Sequence, residues 1–373
     1  MRCHPLAVLN DLYNFSNHKT NSYPKILLVN DRPLRTGAGR YAYQIYNALP
    51  DISYLVSYIW NYNEVQLKFP GEVVISNLIK QIPNPNKLTM YLIRFTPRLM
   101  QRDYISLISN FRKKGYFVHY SSQLAYTAKP FDSDTVSILD LIAIKDAIKQ
   151  PINYLLLKKY LRFNHIITIS NYTSKLIRTY RPDSHPHTIY PYVSESFFGV
   201  EKKTAREKLK IPLDKKIILS ISSTQMRKNL SVVEKTMNLL GNEYLLVRVG
   251  EPISNSISFQ NVDDATLNLI YNSADVLLFP TKAEGFGYPL IEAMKVGLPI
   301  VSSNIEVVRE VTAGNALLAE QDDPIALSNM IRDAVSSPED LIKRGLKRAN
   351  FFNKQRLRNE LLMFYAKLTE LLE

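Results

Sequence analysis

The chain has 373 residues and a mass of 42.9 kDa, a size that suits two medium domains. Apolar residues make up 46% and charged residues 22%, which excludes a disordered chain, a collagen-like chain, a coiled coil or a small disulfide scaffold. Cys3 is the only cysteine, and no apolar run reaches the roughly 18 residues of a membrane span, so we expect a cytoplasmic protein.

The positive charge is unevenly distributed. The chain has a net charge of +13, of which residues 1–200 carry +12 and residues 201–373 carry +1. Such a one-sided excess suits an anionic partner, such as a membrane surface, a nucleic acid or an anionic substrate. A solvated basic face that only aids solubility would have the same composition, and both interpretations stay open at this point.

Strands and helices alternate in the first half of the chain. The apolar run 25–30 follows Pro24 and predicts a buried parallel strand, and a helix is predicted over 41–49. Further strands are predicted at 53–60, 116–120, 135–139 and 166–169. Strands that alternate with helices are typical of a doubly wound parallel sheet.

The alternation restarts near residue 215. Strands are predicted at 216–222, 244–249, 276–279 and 300–302, and helices at 230–240, 265–273, 288–296 and 324–336. We therefore divide the chain into an N-terminal extension of unknown role (1–22), a first domain (23–198), a second domain (199–352) and a C-terminal helix (353–373). That helix has one apolar stripe, so it is expected to pack on another element, which the family resemblance given below places in the first domain. Two such domains imply a cleft between them, where ligands bind.

The stretch after the strand 276–279 has the pattern of an anion site. A loop with Gly285 and Gly287 leads into a helix that begins near Tyr288, with Pro289 in its first turn, where a missing N–H costs nothing. A helix start of this kind offers free N–H groups and a positive dipole end to phosphate. Glu284 and Glu292 flank it, and an ionised carboxylate can accept hydrogen bonds from sugar hydroxyls.

The whole string from Glu284 to Met294, EGFGYPLIEAM, resembles the signature of the retaining GT-B glycosyltransferases of the family-four type. The surrounding segments 271–275, 297–299 and 308–318 match as well. The resemblance implies an α/β GT-B fold, with two Rossmann-like domains that face a cleft. It also implies a hexosyltransferase that moves a sugar from a nucleotide-diphosphate sugar to a glycan, lipid-linked or protein-linked acceptor. The anomeric configuration is retained by front-face attack, and no metal or other cofactor is expected.

The resemblance also assigns donor-side roles. Glu284, Arg227 and Lys228 are the expected catalytic residues, the two cations neutralising the donor diphosphate and Glu284 holding the sugar hydroxyls. Glu292 is expected to hold the ribose, Val262 the base, and Gly37 and Gly39 to cover the diphosphate from the first domain. Backbone N–H groups from the loop are expected to hold the sugar and the phosphate, and the residues concerned are Gly285, Phe286, Gly287, Tyr288, Pro289 and Leu290.

On the acceptor side the resemblance points to Arg40, His119 and Asp140. The family usually has a histidine directly before this aspartate, and the histidine often touches the transferred sugar. Leu139 stands there instead. His119 is expected either to substitute for it in part or to be a structural histidine.

The basic first half leaves its partner open. The apolar and basic stretch 154–163 suits either an anionic lipid surface or an internal helix with exposed lysines. An enzyme that is peripheral on the inner face of a membrane is therefore compatible with the sequence, whereas nucleic acid is not the expected partner. Two rival functions remain: a non-catalytic GT-B-like protein whose basic half binds membrane or nucleic acid, and a sugar-nucleotide epimerase or hydrolase.

Overall fold

The fold is taken from a computed structural model of the chain. It describes residues 23–30, 36–59, 72–75, 102–122, 131–142 and 157–372. The predicted N-terminal extension, residues 1–22, lies outside these ranges. Among the described residues, no helix combines the length and the apolar character needed to cross a membrane.

The strands form two sheets in which every pairing is parallel. The first sheet has seven strands in the order β3-β2-β1-β4-β5-β6-β7, and the second has six in the order β10-β9-β8-β11-β12-β13. The strands are β1 Ile26–Asn30, β2 Ser53–Ile59, β3 Glu72–Ile75, β4 Phe117–Tyr120, β5 Thr135–Ile138, β6 His165–Thr168, β7 His187–Thr188, β8 Lys216–Ile221, β9 Tyr244–Val249, β10 Ser256–Phe259, β11 Val276–Phe279, β12 Ile300–Ser303 and β13 Leu317–Ala319. Both orders reverse direction once, as in Rossmann-like domains. The prediction of two doubly wound parallel sheets is confirmed.

Helices connect the strands and cover the sheets. They are α1 Gly37–Ala48, α2 Arg102–Lys113, α3 Asn171–Tyr180, α4 Lys202–Leu209, α5 Leu230–Asn238, α6 Asp264–Ser273, α7 Tyr288–Val296, α8 Glu306–Thr312, α9 Pro324–Ser336, α10 Glu339–Ala349 and α11 Lys354–Leu372, with a 3₁₀ turn at Met226–Lys228. Because helices lie on the sheet faces, the central strands are buried on both sides, and every residue of β1 and β11 is buried.

Helices α1 and α4 are among those that differ from the sequence prediction. Helix α1 begins at Gly37 rather than at residue 41, because the Thr36 side chain accepts a hydrogen bond from the Gly39 N–H at 3.1 Å and caps the helix. Helix α4 was not predicted, since residues 201–210 are mostly charged. One of its charges, Arg206, is 5% exposed and is held by Asp275 at 2.7 Å, which explains how a charged segment packs.

One apolar cluster runs through both domains and under the C-terminal helix. It includes Leu28 from the first sheet, Leu277 from the second and Leu361 from α11. Helix α11 packs on α1, and Arg358 pairs with Asp51 of the first domain at 2.8 Å. The apolar face that the sequence predicted on this helix therefore packs against the first domain.

The apolar residues of 157–163 are buried. Leu157, Tyr160 and Phe163 are at most 1% exposed and belong to the core on the other face of the first sheet. Residues 154–156 lie outside the described ranges. Of the two interpretations of this stretch, the internal one fits the described part.

His119 lies in the core rather than on the acceptor side. It is 0% exposed, its Nδ1 is 2.6 Å from the Tyr365 hydroxyl and its Nε2 is 2.8 Å from the Ser137 hydroxyl. Burial lowers its pKa to about 3. The acceptor-side assignment is therefore wrong, because both ring nitrogens are taken up by the contact between α11 and the first sheet. His119 is a structural histidine.

The two domains touch through backbone at Gly285. A Cβ atom at this position would lie 2.0 Å from the carbonyl oxygen of Leu139 and 3.0 Å from the Cβ of Asp140. The Gly285 carbonyl also accepts a hydrogen bond from the Ser170 hydroxyl at 2.7 Å. Only glycine lets these loops approach so closely.

A carboxylate of the second domain caps a helix of the first. Glu310 accepts the N–H groups of Asn171 and Tyr172 at 2.6 and 2.9 Å, at the start of α3, and the Tyr190 hydroxyl at 2.7 Å. Negative charge at a helix N-terminus is favourable, so this contact also holds the domains together.

Replacing His119 should make the protein less sensitive to acid. His119 takes up a proton only near pH 3 in the folded protein, but near pH 6.5 in the unfolded chain. The stability contributed by neutral His119 is therefore fully present above about pH 6.5. It is then lost as the pH falls toward 3, by up to about 1.4 kcal/mol per pH unit. The urea midpoint should fall less steeply with pH in His119→Asn than in the wild type. The exposed His185→Asn serves as control, and equal slopes in His119→Asn and the wild type would contradict the prediction.

Gly285→Ala should destabilise the closed arrangement of the domains. The new methyl group would meet backbone, which cannot move as a flexible side chain can, so we expect a loss of about 1–3 kcal/mol and a lower melting temperature. Gly37→Ala is the matched control, because a Cβ there makes only an ordinary contact of 3.7 Å with the Tyr288 ring. A melting temperature for Gly285→Ala equal to that of the wild type would rule out this packing.

Candidate active site

The predicted site residues lie where both strand orders reverse. In the second sheet the reversal falls between β8 and β11, and in the first between β1 and β4. Loops at the carboxyl ends of such strands form the crevice that binds ligands in doubly wound sheets. Arg227 and Lys228 follow β8, Glu284 follows β11, and α1 follows β1. The fold therefore brings together residues from three distant parts of the chain.

Glu284 is held by two cations and a hydroxyl. Its Oε2 accepts from Arg227 Nη1 at 3.1 Å, and its Oε1 accepts from Lys228 Nζ and from the Thr281 hydroxyl, the latter at 3.0 Å. The residue is 8% exposed. Burial lowers the pKa of Lys228, and the Glu284 carboxylate opposes that shift. The three expected catalytic residues thus form one charge cluster around a buried carboxylate.

Glu292 has a separate pair of partners. Arg40 Nη1 donates to its Oε1 at 2.7 Å, and the Tyr271 hydroxyl donates to its Oε2 at 2.6 Å. The Glu292 side chain is 4% exposed. Burial and the neighbouring carboxylate raise the pKa of Tyr271 well above its usual value, which keeps this hydroxyl a donor.

The loop between Glu284 and α7 is shaped by glycine. Gly287 has φ of 97°, in the left-handed region, and precedes the helix, which has Pro289 in its first turn. The side chains of Phe286 and Leu290 are in the core, at 2% and 0% exposed. Backbone alone can therefore face a ligand at these two positions.

The expectation that this loop holds the ligand through the N–H groups of Pro289 and Leu290 is wrong. Proline has no N–H, and the Leu290 N–H is donated to the Gly287 carbonyl at 3.0 Å. Gly285 is packed against the first domain, as described above. This leaves Phe286, Gly287 and Tyr288 as the positions whose backbone N–H groups could serve a ligand.

The N-terminus of α1 lies beside the start of α7. The position of a Cβ on Gly37 is 3.7 Å from the Tyr288 ring, and the Tyr288 hydroxyl donates to Gln44 Oε1 of α1 at 3.2 Å. Gly39 is buried in the first turn of α1. Two helix starts thus meet in the cleft, and both have positive dipole ends.

Arg40 belongs to this donor side of the cleft, not to the acceptor side where the sequence analysis put it. Its guanidinium reaches Glu292 at 2.7 Å and Asp264 at 3.4 Å, both in the second domain. The Glu292 carboxylate raises the pKa of Arg40 further above its high usual value. Sequence reasoning could not find this pair, because the two residues lie 252 positions apart.

The remaining predicted residues lie at the edges of the site. Asp140 Oδ1 accepts the Ile142 N–H at 3.1 Å, and burial raises the pKa of Asp140, with Arg227 and Lys228 close enough to oppose the shift. Leu139 is 7% exposed. Val262 follows β10 and is partly buried against the core. Tyr271, which the sequence analysis gave no role, lies at the end of α6 and contacts Glu292 directly.

The chain is similar in sequence to known glycosyltransferases over part of its length. Residues 201–348 match the family described as glycosyl transferases group 1. The O-antigen chain mannosyltransferase RfbU of Salmonella typhimurium is 29% identical over 205 residues, 50% of this chain and 55% of that protein. O-antigen chain mannosyltransferase B of Escherichia coli is 32% identical over 110 residues, 29% of each chain. This chain therefore spans about half or less of the length of these curated relatives.

Solved structures match over almost the whole chain. Sucrose-phosphate synthase from Thermosynechococcus elongatus has a TM-score of 0.76 at 16% identity and covers 93% of this chain and 99% of its own. HepE of Anabaena, solved in complex with UDP and glucose, has a TM-score of 0.71 at 13% identity and covers 91% and 98%. Identities this low show the fold alone, which is GT-B. The match over residues 201–348 makes the second domain similar to the glycosyl transferases group 1 family.

Proposed function

We propose that the chain is a retaining glycosyltransferase, which moves a sugar from a nucleotide-diphosphate sugar to an acceptor hydroxyl. The observation that carries the proposal is the pair of cations, Arg227 and Lys228, on the buried carboxylate of Glu284 at the strand reversal of the second sheet. Two cations beside a carboxylate suit a ligand that has phosphate groups at one end and sugar hydroxyls at the other.

The donor would lie along the second domain. Glu292 would accept the ribose hydroxyls, Arg227 and Lys228 would bind the diphosphate, and Glu284 would turn to the hydroxyls of the sugar. The two cations now neutralise Glu284, so their charges are already in place when the phosphates arrive. Such fixed charges need little reorganisation as negative charge develops on the leaving group.

In the proposed reaction the bond between the sugar C1 and the β-phosphate oxygen breaks, and its electron pair stays on that oxygen. The acceptor oxygen forms a new bond to C1 from the same face, so the anomeric configuration is retained. The acceptor proton passes to the released phosphate oxygen. No protein base is needed in this scheme. We also propose that the reaction is independent of metal, since Arg227 and Lys228 supply two positive charges at the leaving group.

The sugar and the acceptor are proposed from the relatives. Two of them are named O-antigen chain mannosyltransferases, so mannose is the first sugar to test and a glycan is the first acceptor. Glucose is the second sugar, because HepE was solved with UDP and glucose. The acceptor would approach from the first domain, whose positive charge suits a glycan on an anionic carrier at a membrane surface.

One nucleoside diphosphate among UDP, GDP, ADP and dTDP should raise the melting temperature of the wild type. A ligand that binds only the folded state at 100 times its Kd adds about 2.7 kcal/mol of stability. Glu292→Gln keeps the size of the side chain but replaces the charged acceptor of the ribose hydroxyls. We expect it to bind the same nucleotide at least about tenfold more weakly, about 1.4 kcal/mol.

Glu306→Gln is the matched control, since this glutamate pairs with Lys175 of the first domain, as Glu292 pairs with Arg40, but is not one of the proposed donor-binding residues. The identified nucleotide then defines the sugar nucleotides to test, with mannose and glucose first. Transfer with retention is read from the anomer of the first-formed product. The absence of stabilisation by any of the four nucleotides would refute the donor site and favour a non-catalytic protein, whereas donor breakdown without an acceptor would favour a hydrolase or epimerase.

Nucleotide binding should weaken at alkaline pH through Lys228. Burial lowers the pKa of this lysine, so its charge is lost below the pH at which an ordinary lysine, with a pKa near 10.5, would lose it. Above that lowered pKa the Kd for the nucleoside diphosphate should rise by up to about tenfold per pH unit. Lys228→Arg should abolish this alkaline rise, because arginine stays charged.

The readout is the slope of log Kd against pH, which does not depend on how well arginine fits. Lys282→Arg is the control, since Lys282 is half-exposed and pairs with Asp322. If Lys228→Arg kept the same alkaline slope as the wild type, another group would be responsible and Lys228 would not bind the diphosphate.

A further inference from the structure

The ion pair between Arg40 and Glu292 closes the cleft over the candidate ribose site. Arg40 stands on α1 in the first domain, and Glu292 stands on α7 in the second. The Arg40 side chain is 26% exposed, whereas that of Glu292 is 4% exposed. The guanidinium also lies 5.6 Å from the centre of the Tyr288 ring and 5.9 Å from that of Phe197, close enough for cation–π attraction. Arg40 therefore lies at the rim and blocks access to the carboxylate.

Both oxygens of Glu292 are occupied in this state. Oε2 accepts from Tyr271, which is 0% exposed and packs edge-on against Phe197 at 5.7 Å. Oε1 accepts from Arg40. Each oxygen could accept a further hydrogen bond, but the Glu292 side chain is only 4% exposed, so ribose hydroxyls can reach it only when one of the two donors moves away. Tyr271 is fixed inside the second domain, so Arg40, the partly exposed partner from the other domain, is the one that can leave.

The released guanidinium would remain in the cleft. It stays anchored to the first turn of α1, whose Gly37 lies beside Tyr288 at the start of α7. A diphosphate that joins a ribose at Glu292 to a sugar at Glu284 has to pass between those two carboxylates. It would therefore run past the start of α7, where a phosphate oxygen can accept both prongs of the guanidinium.

We propose that Arg40 is an exchangeable latch, which pairs with Glu292 in the donor-free protein and moves to the donor's diphosphate when the ribose takes its place. The proposal rests on the nucleotide site proposed above. It implies that Arg40 selects for the diphosphate. A nucleoside must break the ion pair and gives Arg40 no new anion, whereas a nucleoside diphosphate supplies one.

The test compares two ligands with the same base, the nucleoside and its diphosphate, by calorimetric titration of the full chain. The variant is Arg40→Gln, which removes the charge and keeps a polar side chain. It should bind the nucleoside at least threefold more tightly than the wild type, because Glu292 is no longer blocked. It should bind the diphosphate at least tenfold more weakly, because the phosphates lose a cation. A purely structural role would not move the two affinities in opposite directions.

Arg358→Gln is the matched control, because Arg358 has a similar exposure of 30% and, like Arg40, forms an ion pair, with Asp51, but it lies on α11 and is not part of the proposed nucleotide site. It should leave both affinities unchanged. Arg40→Lys serves if Arg40→Gln does not fold, and should shift both affinities in the same directions by smaller factors, because lysine keeps the charge but not the fork.

The outcomes separate the latch from the site itself. A wild type that binds no nucleoside diphosphate overturns the proposed function and the latch with it. A wild type that binds the diphosphate, with Arg40→Gln weakening or not changing the nucleoside, overturns the latch alone. Tighter binding of both ligands by Arg40→Gln would show that Arg40 only blocks the site, and would overturn its transfer to the diphosphate.

Discussion

The cleft depends on the neutralisation of two buried carboxylates, Glu284 and Glu292. An ionised carboxylate removed from water is costly unless it is paired and hydrogen-bonded, and loss of one partner from such a pair costs about 3–5 kcal/mol. Each glutamate has one hydroxyl partner from its own domain, Thr281 or Tyr271. Glu284 also takes its cations from its own domain, whereas Glu292 takes its cation from the other. Closing the cleft and neutralising Glu292 are therefore one event.

The fold supplies these partners through the turn that follows β8. Asn229 has φ of 59°, an uncommon left-handed conformation for a residue other than glycine, and its side chain donates to the Gln321 carbonyl at 2.6 Å. This residue separates the 3₁₀ turn that bears Arg227 and Lys228 from α5. Backbone strain is often held at functional sites by surrounding contacts. Here the turn that ends at Asn229 lets both Arg227 and Lys228 contact Glu284. In an uninterrupted helix these adjacent side chains would point in different directions.

Short sequence patterns correctly predicted those parts of the site that lie within one continuous segment of the chain. The strand β11, the loop with Glu284 and the bounds of α7 agree with the sequence analysis, since glycine, proline and apolar runs determine each of them. The sequence could not predict which distant segments contact each other. The sequence analysis assigned Arg40 to the acceptor side because it could not show its partner, Glu292. Nothing in the spacing around His119 shows that α11 would bring Tyr365 to it. The charged segment of α4 was missed because Arg206 and Asp275 neutralise each other only in the folded chain.

The charges of the cleft also bear on the proposed binding of a diphosphate. Arg227 and Lys228 both pair with Glu284, so two positive charges contact one carboxylate at this point of the cleft. Burial of Lys228 favours its neutral form, and a second anion beside it would favour the charged form. In the proposed function the diphosphate supplies this second anion and so reduces the cost of keeping Lys228 charged. The two glutamates can then accept hydrogen bonds from the hydroxyl groups of the donor. When the donor bond breaks, the leaving phosphate gains charge at the point where the cations converge, and the acceptor proton that it takes up limits this gain. The same arrangement would therefore serve binding and bond cleavage without a separate base.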